Sequence, residues 1–232
     1  MGDALSEGIL QLCGNDPDVG NVIAPRCEQV CSLLNRYIAE IEQYNPALSL
    51  VGTNDRNELI VRHILDSLAP LGLIIRLMCR SPSAPQPIIA DVGSGAGLPG
   101  IPLSIALPQA SFSLIERKGR RAHFLRNAQE ALCLSNVTVE EAEMEKVKRN
   151  RFSLVTFRAF RPLETKIYKK LIRLCNDGGI LAAYKGRRSK TEAEMTALEK
   201  EMPILCGNWE LLPCTVPGLD EERHLLVINN KR

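Results

Sequence analysis

Residues 91–102 read "DVGSGAGLPGIP", with four glycines in eight positions, set between the apolar "PIIA" and the amphipathic "IPLSIAL". No other stretch limits the fold so tightly. A glycine-rich turn that leaves a buried strand and opens a helix lets the backbone approach a nucleotide-like ligand at the helix N-terminus. A strand followed by a helix also predicts a parallel partner strand, because a parallel pair needs a long crossover.

The pattern after the turn meets that expectation. "IIADV" reads as a strand, 99–107 as a helix and "SFSLIE" as a strand; 118–133 is a helix with Phe124, Leu125, Ala128, Leu132 and Cys133 on one face. "VTVEEAE" is a strand with its exit loop, "FSLVTFR" a strand, 163–176 a helix, "GGILAAYKG" a strand and 189–202 a helix. "WELLPCTV" and "HLLVINN" form a hairpin-like pair around "PGLDEE". The fold class is therefore α/β, a Rossmann-like parallel sheet with helices on both faces and an antiparallel strand finishing one edge.

The chain before residue 88 reads differently. Val30, Leu33, Leu34, Tyr37, Ile38 and Ile41 share helical spacing within 24–43. "YNPALSLVGTND" reads as a loop, with Asn45-Pro46 as its breaker and Thr53 or Asn54 as the next N-cap. A second helix has Leu59, Ile60, Ile64, Leu65 and Leu68 on its apolar face, and "RSPSAPQP" (80–87) reads as a linker. Two segments are expected: a helical extension with linker over 1–87, and the ligand-binding domain over 88–232.

The charge pattern points to the partner. Residues 1–90 carry six Lys/Arg against ten Asp/Glu, which leaves 23 against 17 for the rest, and 117–190 alone holds 19 against seven. A basic stripe on a chain of net charge +2 suits a polyanion. Apolar residues make up 45% of the chain, but no run approaches the roughly 20 needed to span a bilayer. No secretory signal is visible, so a cytoplasmic protein without membrane association is expected. Eight cysteines without a CxxC pair read as reduced, packed thiols, and no metal site is expected.

Gly95-x-Gly97-x-x-Gly100 alone would admit NAD and an oxidoreductase. The series begins earlier, however, as Asp91-x-Gly93-Ser94-Gly95, with an acid at the strand's end. A pyrophosphate is repelled there, whereas the cationic amino-acid end of S-adenosylmethionine is favoured. Glu116, ending the second strand, would bond ribose hydroxyls in either cofactor. Glu143 follows the third strand, where the adenine edge would lie. Acids ending three successive strands line one crevice, and the cofactor expected is S-adenosylmethionine.

The acceptor is narrowed by elimination. The N/D-P-P-Y/F/W sequence of exocyclic-amino methylation is replaced after the fourth strand by "FRAFRPL". Pro213-Cys214, which a cytosine C5 enzyme could use, lies in the late strand pair, far from the expected site, and reads as packing. His63, His123 and His224 are scattered and suggest neither metal nor triad. An acceptor with a free lone pair, such as guanine N7, needs positioning and no general base.

"DVGSGAGLPGIPLSIALP", "LIERKGRRAHFL", "NVTVEEAEME", "FRAFRPL" and "NPALSLVG…RHILDSLAPL" together resemble the RsmG (GidB) family of bacterial 16S ribosomal RNA guanine-N7 methyltransferases, collinearly over about residues 30–190. The resemblance implies a class I S-adenosylmethionine-dependent methyltransferase domain with an N-terminal helical extension. The implied substrate is a guanine in the 530 loop, presented by 16S rRNA or the small ribosomal subunit; separately from the resemblance, a monomer is expected. It also implies cofactor contacts at Gly93 and Leu98, with Ala142 and Glu143 beside the adenine. Arg158 falls on the family's site arginine, and Lys185-Gly186 also fits. His63, Asp66 and Ser67 would form a helix face closing over the cofactor pocket.

Arg158 could contact substrate phosphate or base, orient the cofactor carboxylate, or form a structural ion pair. Lys185 could meet RNA backbone, and the His63/Asp66/Ser67 face could be local helix hydrogen bonding. The family's N-L-T is Ser49-Leu50-Val51 here, and its D-S after strand two is Glu116-Arg117, which keeps the carboxylate. A small-molecule methyltransferase, an NAD-dependent oxidoreductase and a catalytically silent RNA-binding module are the competing readings.

Overall fold

The computed structural model describes residues 3–80, 87–158 and 163–230. The segment 81–86, most of the expected linker, and the segment 159–162 of "FRAFRPL" lie outside the described residues. Among the described residues seven strands form one sheet: β1 (Ile88–Val92), β2 (Ser111–Glu116), β3 (Val137–Glu141), β4 (Phe152–Arg158), β5 (Cys175–Lys185), β6 (Trp209–Cys214) and β7 (Arg223–Asn229). Their spatial order is β3-β2-β1-β4-β5-β7-β6, with β7 antiparallel to both β5 and β6. One strand, β7, thus runs against the rest, as expected, but it lies inside the sheet, and β6, which runs parallel to β5, forms the edge.

The order reverses between β1 and β4, where Asp91 lies opposite Thr156. The carboxyl ends of strands at such a reversal open a crevice for a ligand. The crossovers are α7 (Gly100–Ala106) and α8 (Gly119–Ala131) on one face, and α9 (Thr165–Ile172) and α10 (Arg188–Glu201) on the other. Alternation along each strand separates the faces: Leu154, Ile180 and Leu225 join the first core, Val155, Leu181 and Leu226 the second.

The N-terminal helices enlarge the first core. They are α1 (Ala4–Asn15), α2 (Pro17–Ile23), α3 (Cys27–Leu48), a broken run of α4 (Arg56–Leu59), a π-helical turn (Ile60–Leu65) and α5 (Asp66–Leu68), then α6 (Leu71–Arg80). Helices α1 and α2 were unread in the sequence. Tyr44 of α3 meets Phe124 of α8 edge-on at 5.6 Å, and the Arg26 and Arg36 guanidiniums donate to Ile105 O and Ala131 O.

Two local expectations are corrected. Asn45-Pro46 does not break the helix, since α3 runs through Pro46 to Leu48 and ends at left-handed Ser49 (φ 47°). The buried Asn45 side chain instead ties the following loop, donating to Thr53 O and accepting from Val51 N–H at 2.9 Å each. The N-cap is Asp55, which accepts from Glu58 N–H at 2.7 Å. Thr53 is consumed by the Glu58 carboxylate at 2.6 Å, which completes the cap from outside.

Candidate functional site

The glycine-rich turn is tied back to the sheet by its acids. Asp91 accepts the Gly100 N–H at 3.1 Å, and Glu116 accepts the N–H groups of Gly95 (3.0 Å) and Lys118 (2.8 Å). The Ser94 hydroxyl donates to Asp91 O, and Ser94 O in turn accepts the Gly97 N–H at 2.7 Å. Gly93 and Gly95 sit at φ 72° and 57°, a region costly to any residue with a Cβ. A Cβ on Gly95 would meet only ordinary contacts, Arg121 Nη1 and Gly93 O at 3.8 Å, so the constraint there is the backbone angle and not crowding. Tyr37, wholly buried in α3, donates its hydroxyl to Ala96 O at 2.5 Å and fixes the turn from the helical side.

Of the three expected acids, two converge. Asp91 and Glu116 are buried at the ends of β1 and β2, whereas Glu143 is exposed two residues past β3, whose last residue is Glu141. Ala142 is half-buried and donates its N–H to Glu116 O at 3.1 Å, which places it at the crevice rim. Leu98 is buried in the first core. Asp91 Oδ1 has no hydrogen-bond partner, and burial pushes the carboxyl up to about 7 despite the Gly100 N–H and the nearby Arg158.

A second cavity, of about 320 Å³, opens at the ends of β4, β5 and β7; Arg62, His63, Asp66, Arg158, Tyr184 and Lys185 line part of it. Asp66 holds two guanidiniums: Oδ2 pairs with Arg158 at 3.2 Å and Oδ1 with Arg223 Nε at 3.1 Å. Burial raises the Asp66 carboxyl, and the two arginines oppose that shift. Arg158 Nη2 lies 3.2 Å from His63 Nδ1, while Lys185 is paired with Glu194 at 2.6 Å. Burial, then Arg158, lowers His63 to about 4. Thus the ion pair foreseen for Arg158 is present, inside the cleft.

His63 and Asp66 reach the cleft, but Ser67 does not share their role. Ser67 is fully buried, with its hydroxyl on His63 O at 2.6 Å and its carbonyl accepting the Tyr184 hydroxyl at 2.8 Å. The π-helical turn, a feature common at functional sites, delivers His63 and then Asp66 to the cleft.

Two sequence readings are corrected here. The histidines are not all scattered, since His63 and His224 line this one cleft. Cys214 is not remote either, because the β6–β7 pair folds back beside β5 and places it in the same wall. Its thiol is pushed up to about 12 by burial, which removes it as a nucleophile. Arg223 went unread, and only its β7 position, set by long-range pairing, brings it to Asp66. Among the described residues no group of three or more His, Cys, Asp or Glu could hold a metal ion, and no helix is long and apolar enough to cross a membrane.

The sequence matches a family model described as rRNA small subunit methyltransferase G over residues 30–225. It is 35% identical over 223 residues to a ribosomal RNA small subunit methyltransferase G of Treponema denticola, covering 86% of each chain. A namesake from Nitrosomonas europaea is 36% identical, covering 86% of this chain and 87% of that one. A tRNA methyltransferase structure from Aquifex aeolicus shares the fold at a TM-score of 0.52 and 11% identity, covering 71% of this chain and 68% of that one.

Proposed function

Since the chain belongs to the rRNA small subunit methyltransferase G family, we propose that it methylates N7 of a guanine in the 530 loop of 16S rRNA. It is an rRNA methyltransferase that uses S-adenosylmethionine. The residues at β1 and β2 fit that cofactor. Asp91 Oδ1 is a buried acceptor without a partner, suited to a cationic amino-acid end, and Gly93 and Gly95, both at positive φ, carry no Cβ to hold a ligand off the backbone. We assign Asp91, Gly93, Ser94, Gly95, Gly97 and Leu98 to the turn that holds or shapes the cofactor site. Glu116 is assigned to the ribose, and Ala142 with Glu143 to the adenine rim. When bound, the cofactor supplies a methyl group on a sulfonium, ready for an in-line nucleophile.

The observation that carries the N7 reading is the chemistry of the cleft beside Arg158. Cys214 is held near 12 and Tyr184 well above 10, both by burial. His63 is lowered to about 4, a weak base, and Asp66 is engaged by two arginines. A ring nitrogen with its own lone pair needs no base from these groups, only orientation. Arg158, between Asp91 and the cleft, orients both sides, and Lys185 borders the RNA path. The basic stripe over 117–190 supplies counter-charge for phosphates. The enzyme acts as a cytoplasmic monomer on rRNA or the small subunit. The test incubates small subunits with methyl-labelled cofactor. Label in N7-methylguanine supports the reading, and label in another base or none rejects it.

A further inference from the structure

His63 occupies the cleft with both ring nitrogens defined by chemistry. A guanidinium can only donate, so Arg158 Nη2, 3.2 Å from His63 Nδ1, requires Nδ1 to be the lone-pair nitrogen. The proton is therefore on Nε2. Held near 4, the ring stays neutral at physiological pH, so this tautomer persists. Among the described residues no hydrogen bond engages the Nε2–H, and His63 lines the open cleft.

The cations around it are committed elsewhere. Arg158 and Arg223 share Asp66, Lys185 is bound to Glu194, and Arg62 is bound to Glu221 at 2.7 Å. A phosphate would have to displace these carboxylates, whereas a neutral base carbonyl would meet a free donor. Tyr184, Pro70 and Cys214 add less polar wall suited to a flat ring.

On the proposed reading of guanine N7 as acceptor, we infer that His63 is a specificity-determining residue whose Nε2–H donates to O6 of the target guanine. The two purines differ in sign at that position: guanine presents an acceptor, adenine an amino donor. A fixed donor accepts the first and repels the second, while N7 stays free for transfer. Arg158 serves as the positioning residue, because it sets the tautomer.

The test reconstitutes small subunits around 16S rRNA carrying guanosine, inosine or 2-aminopurine at the methylated position. Inosine keeps O6, and 2-aminopurine lacks it. The wild-type enzyme should methylate guanosine and inosine at similar kcat/KM and 2-aminopurine about 10- to 100-fold more slowly, the cost of one unpaired polar group. His63→Ala should lower the guanosine and inosine rates by about that factor and the 2-aminopurine rate by less than about threefold, which collapses the preference. His63→Gln, which restores an N–H donor, should recover part of it. Affinity for S-adenosylhomocysteine, unchanged in both variants, excludes misfolding. An unchanged preference in His63→Ala, or a variant that no longer binds S-adenosylhomocysteine, overturns the assignment to O6. Failure of the wild-type enzyme on guanosine itself overturns the N7 reading instead.

Discussion

The two halves of the site are built by opposite means. The glycine-rich crevice is local: Asp91 holds Gly100, and Glu116 holds Gly95 and Lys118, all by carboxylate-to-backbone bonds within 91–118. The cleft beside it is long-range and ionic. Asp66 joins Arg158 to Arg223 across 92 and 157 residues of chain. A backbone-tied turn presents one fixed shape to an invariant cofactor. A web of side-chain charges instead waits on three separate elements being docked, so its geometry depends on the whole fold.

The largest effect should come from the web. Asp66→Ala leaves two partly buried guanidiniums without their shared carboxylate, and breaking such a pair costs about 3 kcal/mol. The melting temperature should fall by roughly 6–12 °C. rRNA methylation should fall far more than S-adenosylhomocysteine affinity, and equal losses in both would erase the division between the halves.

Gly97→Ala attacks the other half at about 2 kcal/mol. Its φ of 89° is hostile to alanine, and its Cβ would come within 2.6 Å of Ile101 Cδ1. Here the order reverses: calorimetry should show S-adenosylhomocysteine affinity reduced by tenfold or more, with a smaller fall in melting temperature than Asp66→Ala gives.

The smallest effect is set by pH. The Asp91 carboxyl, raised to about 7, is half protonated there in the free protein, and a cationic ligand end favours its anion. Binding therefore releases a proton. S-adenosylhomocysteine affinity should level off above pH 7 and fall by up to tenfold, about 1.4 kcal/mol, per unit below it. Asp91→Asn should bind weakly and without this slope. For the free protein the sign is opposite: a raised carboxyl makes the native state bind more protons, so this group's contribution to stability declines from about pH 4 to 7.

The same contrast explains what could be read from the sequence. β1, its turn and α7 are contiguous and their glycines carry backbone meaning, so "DVGSGAGLPGIP" was legible as a ligand turn. The strands followed from buried apolar runs, and the late pair from its turn residues. Asn45-Pro46 misled because proline near a helix end is tolerated when a neighbour's side chain orders the exit, as Asn45 does. Arg223 carried no local signal, because its partner Asp66 is distant and ion pairs leave no periodicity. The gathering of His63, His224 and Cys214 was hidden for that reason too, since only the antiparallel return of β7 creates it. "RHILDSL" gave the residues but not the π-helical turn that aims them.

On the proposed reading, the two halves of the site meet over one guanine of the small-subunit RNA. Mass mapping of 16S rRNA from cells with and without this protein tests it most directly. A single N7-methylguanine, within the 530 loop, should vanish when the protein is removed and return with it. An unchanged 530 loop, or a modification lost from another base, would contradict it.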